Sequence, residues 1–228
     1  MKKLVVLTGA GISAESGIKT FRDEDGLWEN YRVEDVATYD AWLSNPELVI
    51  DFYNQRRAQL NHVEPNKAHK ILAELEDFFH VQIITQNVDN LHERAGSSHI
   101  THLHGELTKV RSNINTKLIK DIGYNSIKLG DKAEDGSQLR PHIVLFGEAV
   151  PLIEEAALIV SKADYVAVIG TSMLVYPAAG LIHYAPSNAK CFYIDPKANQ
   201  ISGIRSLTVI KEKATVGVEM LKKIVLEN

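Results

Sequence analysis

Three short stretches hold residue types that could do chemistry. The first, Gly9-Ala10-Gly11-Ile12-Ser13-Ala14, fits G-x-G-x-x-G/A and follows the apolar run Leu4 to Leu7. Glycines there permit a tight turn and let backbone N–H groups approach a pyrophosphate. The second, Thr85-Gln86-Asn87-Val88-Asp89-Asn90-Leu91-His92, closes the apolar run that begins at Val81 and sets amide and carboxylate side chains where a helix begins. Taken alone, it reads as helix capping by Asn87 or Asp89. The third is His102-Leu103-His104-Gly105-Glu106. Alternation puts both histidines on one face of a short strand. Two histidines without further ligands make a poor zinc site. A histidine before a glycine at a strand end suits a general base, because imidazole titrates near neutrality.

A dinucleotide fingerprint ordinarily places an acid ~20 residues on, at the end of the second strand, to bind a ribose. Here that stretch is Thr20-Phe21-Arg22-Asp23-Glu24-Asp25-Gly26-Leu27-Trp28, with no strand before it. This counts against an ordinary dehydrogenase. Polar groups come instead from Gly170-Thr171-Ser172 and from Asp195, each closing another buried strand. Asp195 is better placed to hold an adenosine ribose from the far half of the sheet. Polar loops at the carboxyl ends of parallel strands describe a ligand crevice.

The elements that must position these groups are legible as alternating patterns. Near-continuous β-branched runs predict strands at 4–7, 81–85, 142–144, 165–170, 191–194 and 207–210, buried on both faces as in a parallel sheet. Helical patterns cover 65–79, 151–163 and 214–227, with Pro65 and Pro151 at first helical positions. The alternation predicts an α/β fold, a Rossmann-like doubly wound parallel sheet. Residues 1–34, 80–105 and 140–228 are assigned to the nucleotide-binding domain. Residues 35–79, a helical insertion, and 106–139, polar and hairpin-like, are assigned to a small lobe over the strand ends.

Composition sets the remaining bounds. The 228 residues are 45% hydrophobic, enough for a sizeable core, and a net charge of −4 gives no reason to expect nucleic acid or an anionic membrane as partner. The apolar run at the start is shorter than the ~7–15 residues of a signal core. Nothing approaches the ~20 apolar residues of a membrane span. Cys191 is the single cysteine and reads as an apolar filler of a buried strand. A cytoplasmic protein is expected.

Taken together, the blocks resemble the sirtuins, NAD-dependent protein-lysine deacylases. Gly9-Ala10-Gly11-Ile12-Ser13 with Thr20-Phe21-Arg22, then Gln86-Asn87-Val88-Asp89, His104-Gly105, Arg140-Pro141-His142-Ile143-Val144-Leu145-Phe146-Gly147-Glu148 and Gly170-Thr171-Ser172 occur in sirtuin order over nearly the whole chain. The resemblance implies that NAD is consumed rather than reduced. Gly9 to Ala14, Thr20, Phe21, Arg22 and Trp28 would hold the pyrophosphate and the nicotinamide ribose. Gln86, Asn87, Val88 and Asp89 would line the nicotinamide pocket. Gly170, Thr171, Ser172, Asp195, Lys197 and Ala214 would hold the adenosine side, with Asp195 and Lys197 departing from the usual family residues. The acyl-lysine carbonyl oxygen would attack the anomeric carbon, nicotinamide would leave, and His104 would deprotonate a ribose hydroxyl that attacks the resulting imidate. Asn87 and Asp89 complete the implied catalytic set. Lysine, nicotinamide and O-acyl-ADP-ribose are the implied products.

The resemblance also implies an acyl-lysine peptide or protein as partner, paired as a strand with Val144, Phe146, Gly147 and Glu148 and flanked by Val175 and Tyr176. Tyr53 and Arg56 share a helical face and match the Tyr-x-x-Arg of class III sirtuins, with Ala37 matching the small residue that widens their pocket. This implies succinyl-, malonyl- or glutaryl-lysine, and acetyl-lysine besides. Where sirtuins carry two Cys-x-x-Cys pairs for a structural zinc, this chain has Ser112, Asn115, Lys132 and Asp135. No zinc is therefore expected, and the lobe is expected to rest on strand pairing and on Ile114, Leu118, Ile119, Ile122, Ile127 and Leu129. An ADP-ribosyltransferase or NAD hydrolase on the same fold is the alternative, and a non-catalytic binding module the third reading.

Overall fold

The computed structural model describes residues 1–19, 27, 28 and 30–227. The expected contacts at Thr20, Phe21 and Arg22 lie outside the described residues.

Eleven strands are formed among the described residues: β1 (Lys3–Thr8), β2 (Leu27–Trp28), β3 (Tyr31–Arg32), β4 (His80–Thr85), β5 (Ile100–His102), β6 (Gly105–Ser112), β7 (Ile119–Asp121), β8 (Leu139–Ile143), β9 (Tyr165–Ile169), β10 (Lys190–Ile194) and β11 (Leu207–Ile210). The helices are α1 (Val33–Val36), α2 (Tyr39–Ser44), α3 (Pro46–Leu60), α4 (Lys67–Glu74), α5 (Leu91–Ala95), α6 (Ile153–Val160) and α7 (Ala214–Leu226).

Six strands form the main sheet in the order β11-β10-β9-β1-β4-β5, and every pairing is parallel. The predicted Rossmann-like fold is what the chain adopts. In β1, Leu4 and Val6 face one core while Val5 and Leu7 face the other. This is why the run is apolar throughout rather than alternating. One core is closed by α4 and α7, through Ala68, Ile71 and Leu72 and through Ala214, Val218, Leu221 and Val225. Those last four recur at helical spacing on one face. The other core is closed by α6 and by the 3-10 segment Ala178–Tyr184. Cys191 is buried there, as an apolar filler should be.

Two elements sit elsewhere than expected. The run at 142–144 does not join the parallel sheet: β8 pairs antiparallel with β6, in a small sheet ordered β7-β6-β8. Pro141 lies in β8, an edge strand, where its missing N–H costs no ladder bond. Likewise α4 packs on the main sheet rather than in the small lobe. Pro65 and Pro151 do not open their helices. Asn66 and Leu152 are the N-caps, and the Asn66 side chain accepts from the Ala68 N–H at 2.9 Å.

The small lobe has its own core, in which Val36, Ala37, Trp42, Phe52 and Tyr53 of the helical insertion meet Val110, Ile127, Ile143 and Leu145. Asn45 caps α3 by accepting from Leu48 N–H, and Pro46 follows at the first turn. Of the apolar residues expected to hold this lobe, Ile127 is buried and Ile122 packs against the core. Ile114, Ile119 and Leu129 are exposed, as are all three residues of β7.

Candidate active site

The loops after β1, β4 and β9 meet at the carboxyl edge of the sheet. Their approach explains the glycines better than ligand contact alone does. Gly11 N–H donates to the Gly170 carbonyl at 2.7 Å, and Gly9 N–H to the Ile169 carbonyl at 3.0 Å. A methyl group on Gly11 would lie 2.6 Å from Gly170 Cα, and one on Gly9 would lie 2.7 Å from Thr171 Cβ. Gly170 itself has φ +62°, a region costly for residues with a Cβ. The two loops therefore pack backbone to backbone. After Gly9 the chain forms two short 3-10 turns, Ala10–Ile12 and Ala14–Ser16, rather than the helix that usually follows such a turn.

The loop after β4 is pinned through several of its polar atoms. Asn87 N–H donates to Thr85 Oγ1 at 3.0 Å, and its Nδ2 reaches the Gly9 carbonyl at 3.2 Å and Ser13 Oγ at 3.1 Å. Ser13 Oγ in turn donates to Asp89 Oδ2 at 2.9 Å, while Asp89 Oδ1 accepts from Leu91 N–H at 3.1 Å. The helix-capping reading of Asp89 thus describes one of its oxygens and the loop contact the other. Burial pushes the Asp89 carboxyl above its usual range, against those two hydrogen bonds. Gln86 Nε2 reaches Thr171 Oγ1 at 3.4 Å, which ties this loop to the one after β9.

His104 leaves the end of β5 with its ring against the same loop. Its Nδ1 donates to the Gln86 carbonyl at 3.1 Å. A ring that donates from Nδ1 and is otherwise neutral keeps its lone pair on Nε2. Burial lowers the His104 pKa, only partly offset by that hydrogen bond. The following Gly105 has φ +87°, and a Cβ there would strike the His142 carbonyl. His104 also bonds forward, its carbonyl accepting from Val144 N–H at 2.9 Å.

On the adenosine side, Asp195 follows β10 and its Oδ1 accepts from Lys197 N–H at 2.8 Å. Ala214, at the start of α7, is buried. Glu15, not singled out in the sequence, accepts from Thr215 N–H and Oγ1 and so ties the first loop to α7. Asn66, also not singled out, donates to the Ile12 carbonyl at 2.7 Å and to Ser16 Oγ at 3.0 Å.

In the small lobe Tyr53 is fully buried and Arg56 lies over the Phe52 ring, its guanidinium carbon 5.4 Å from the centroid. Burial raises the Tyr53 pKa, with Arg140 and Glu148 the nearest charges acting on it. Trp28, expected at the cofactor, packs edge-on against Phe52 at 4.9 Å and Tyr53 at 6.3 Å. Ala37 and the expected peptide strand are directly joined: the Ala37 carbonyl accepts from Phe146 N–H, and the Phe146 carbonyl from Tyr39 N–H, both at 2.9 Å. Phe146 therefore has no free main-chain donor for an incoming strand. Glu148, expected among the substrate contacts, turns inward instead. It accepts from Arg140 at 2.8 and 3.0 Å, from Arg111 at 3.3 Å and from Leu145 N–H at 2.8 Å. Two cations and an open N–H in a buried place outcompete water for that carboxylate. Gly147 has φ +92° between them, and Val175 is half-buried with exposed Tyr176 beside it.

At the positions of the family's zinc cysteines, Ser112 Oγ donates to Asp135 Oδ2 at 2.6 Å, lies 2.8 Å from Ser137 Oγ and accepts from Ile114 N–H and Asn115 N–H. A hydroxyl with those four neighbours has no lone pair left for a metal. With an amide at Asn115 and an ammonium at Lys132, the donor set does not fit zinc.

Residues 9–177 match the Sir2 family. The chain is 58% identical over 231 residues to an NAD-dependent protein deacylase of Bacteroides thetaiotaomicron, covering 99% of each, and 55% identical over 231 residues to one of Helicobacter pylori, covering 100% of this chain and 99% of that one. Its structure is similar to that of a Sir2 homolog–NAD complex, with a TM-score of 0.87 and 39% identity over 99% of this chain and 90% of the other.

Proposed function

The chain belongs to the Sir2 family, and on that premise we propose that it is an NAD-dependent protein-lysine deacylase that transfers the acyl group to ADP-ribose. The observation that carries this reading is the pairing of His104 with the Gln86 carbonyl. It leaves Nε2 basic beside a loop whose Asn87 and Asp89 are fixed by Gly9, Ser13 and Leu91. In the reaction, Asn87 and Asp89 orient the nicotinamide end of NAD, the acyl oxygen displaces nicotinamide, and His104 Nε2 takes the proton from the attacking ribose hydroxyl. Mass spectrometry after mixing NAD with a succinylated peptide tests it. Bare lysine with O-acyl-ADP-ribose is the expected outcome. ADP-ribose alone would instead identify an NAD hydrolase, and no turnover a binding module.

The acyl preference is for acidic groups. Support comes from Arg56 beside a buried Tyr53, since a guanidinium can take a carboxylate through two N–H groups. The small lobe is zinc-independent, supported by the fully engaged Ser112 hydroxyl. Elemental analysis should find no stoichiometric zinc, and EDTA should leave the rate unchanged. The nucleotide-binding domain comprises 1–34, 80–105 and 144–228 together with α4, and the small lobe the remainder, β8 included. The setting is cytoplasmic, supported by one buried cysteine and by the lack, among the described residues, of a helix long and apolar enough to cross a membrane.

A further inference from the structure

Two histidines two residues apart hold two successive carbonyls of the loop after β4. His104 takes Gln86, and His102 takes Asn87 through Nδ1 at 3.2 Å. The two rings differ in one respect. The other nitrogen of His102, Nε2, lies 2.7 Å from Glu93 Oε1 on α5. A carbonyl and a carboxylate only accept, so the His102 ring donates from both nitrogens and is an imidazolium. We propose that Glu93 and His102 are positioning residues for nicotinamide cleavage, with Glu93 holding His102 in its doubly donating form so that it fixes the Asn87 carbonyl. The proposal rests on the deacylase reading and adds residues that touch neither NAD nor peptide.

The geometry favours this over a plain surface ion pair. The Asn87 N–H and Nδ2 are already engaged by Thr85, Gly9 and Ser13, and His102 supplies the hold on its carbonyl. The His102 side chain is 8% exposed. The charged and titratable groups that face it are Glu93 from α5, Glu106 from β6, Asp89 from the loop and His92 from α5. Beyond them, Lys109 pairs with Glu106 at 2.7 Å, and His142 lines the same ≈ 480 Å³ cavity. Carboxylates thus dominate the surroundings of His102, and they hold its pKa above the ordinary value despite burial. As pH rises through that raised value, His102 loses one donor. The remaining proton stays with the carboxylate, and the Asn87 carbonyl is released.

Two measurements test this. In 15N NMR, His102 should titrate above 6.5 in the wild type, and the Val88 amide, which shares its peptide unit with the Asn87 carbonyl, should shift with the same midpoint. Glu93→Gln should move both midpoints down by about one pH unit. In nicotinamide release, the alkaline limb of kcat/KM for NAD should move down with them, while KM for the peptide stays unchanged. His102→Leu should lose about tenfold in kcat/KM for NAD, and His102→Gln, which donates without charge, should recover part of that loss and lack the limb. A His102 midpoint at or below 6.5, a Val88 amide indifferent to its titration, or an alkaline limb unmoved in Glu93→Gln overturns the proposal. A wild type that binds NAD but releases no nicotinamide overturns the deacylase reading instead, and the NMR midpoints still decide the positioning claim.

Discussion

His104 and Arg56 carry the predictions that belong to single residues. Because burial lowers the His104 pKa, the neutral base persists to lower pH than free imidazole would allow. The acid limb of kcat/KM should therefore lie below pH 6.5, as a pH–rate profile would show. His104→Ala should keep NAD affinity and lose ~10²–10⁴-fold in deacylation. Arg56→Met should cut the ratio of desuccinylation to deacetylation by roughly tenfold or more, measured with paired peptides. An unchanged ratio would remove the acidic-acyl preference. His104 stood out by its residue type, whereas Asn87 and Asp89, which taken alone read as helix caps, were singled out only through the family resemblance. The contacts of Glu93, Asn66 and Glu15 were not legible, because each acts on a group that only the folded chain brings near. The ion pair of Glu148 was hidden for the same reason: nothing in its own neighbourhood announces Arg111, 37 residues away in sequence.

Elements explain why the loops stay in place. Gly11 lies against Gly170 with no room for a Cβ, so Gly11→Ala must separate the loops after β1 and β9. A loss of about 1–3 kcal/mol in chemical denaturation is expected, together with weaker NAD binding by calorimetry. Ser112→Ala should cost about 1–3 kcal/mol, since it leaves two N–H groups and a carboxylate without their shared hydroxyl. The strands of the main sheet were readable because burial on both faces demands continuous apolar runs. β8 was misplaced because His142-Ile143-Val144 has the same look. Pro141, one residue earlier, was the signal that it lies at an edge.

Over the whole molecule, acid should weaken the fold. His69 is buried with neither ring nitrogen partnered among the described residues, and burial lowers its pKa from 6.5 to about 4. The unfolded chain takes up that proton near pH 6.5, whereas the folded one resists it. Between about pH 6.5 and 4 the unfolded state binds more protons, so stability falls as pH falls. The His69 contribution is about 3 kcal/mol over that window, and His142, lowered to about 4, adds in the same direction. His69→Leu should flatten the urea midpoint against pH, and a curve as steep as the wild type's would remove His69 as the cause.

The bond between Phe146 and the Ala37–Tyr39 segment has a consequence for what the enzyme selects. On the docking proposed for this strand, a visiting polypeptide would find the main chain of Phe146 already paired with the host's own segment. The modified side chain that it inserts would then supply more of its hold. Selection weighted in that way would read the chemical mark more than the sequence that bears it.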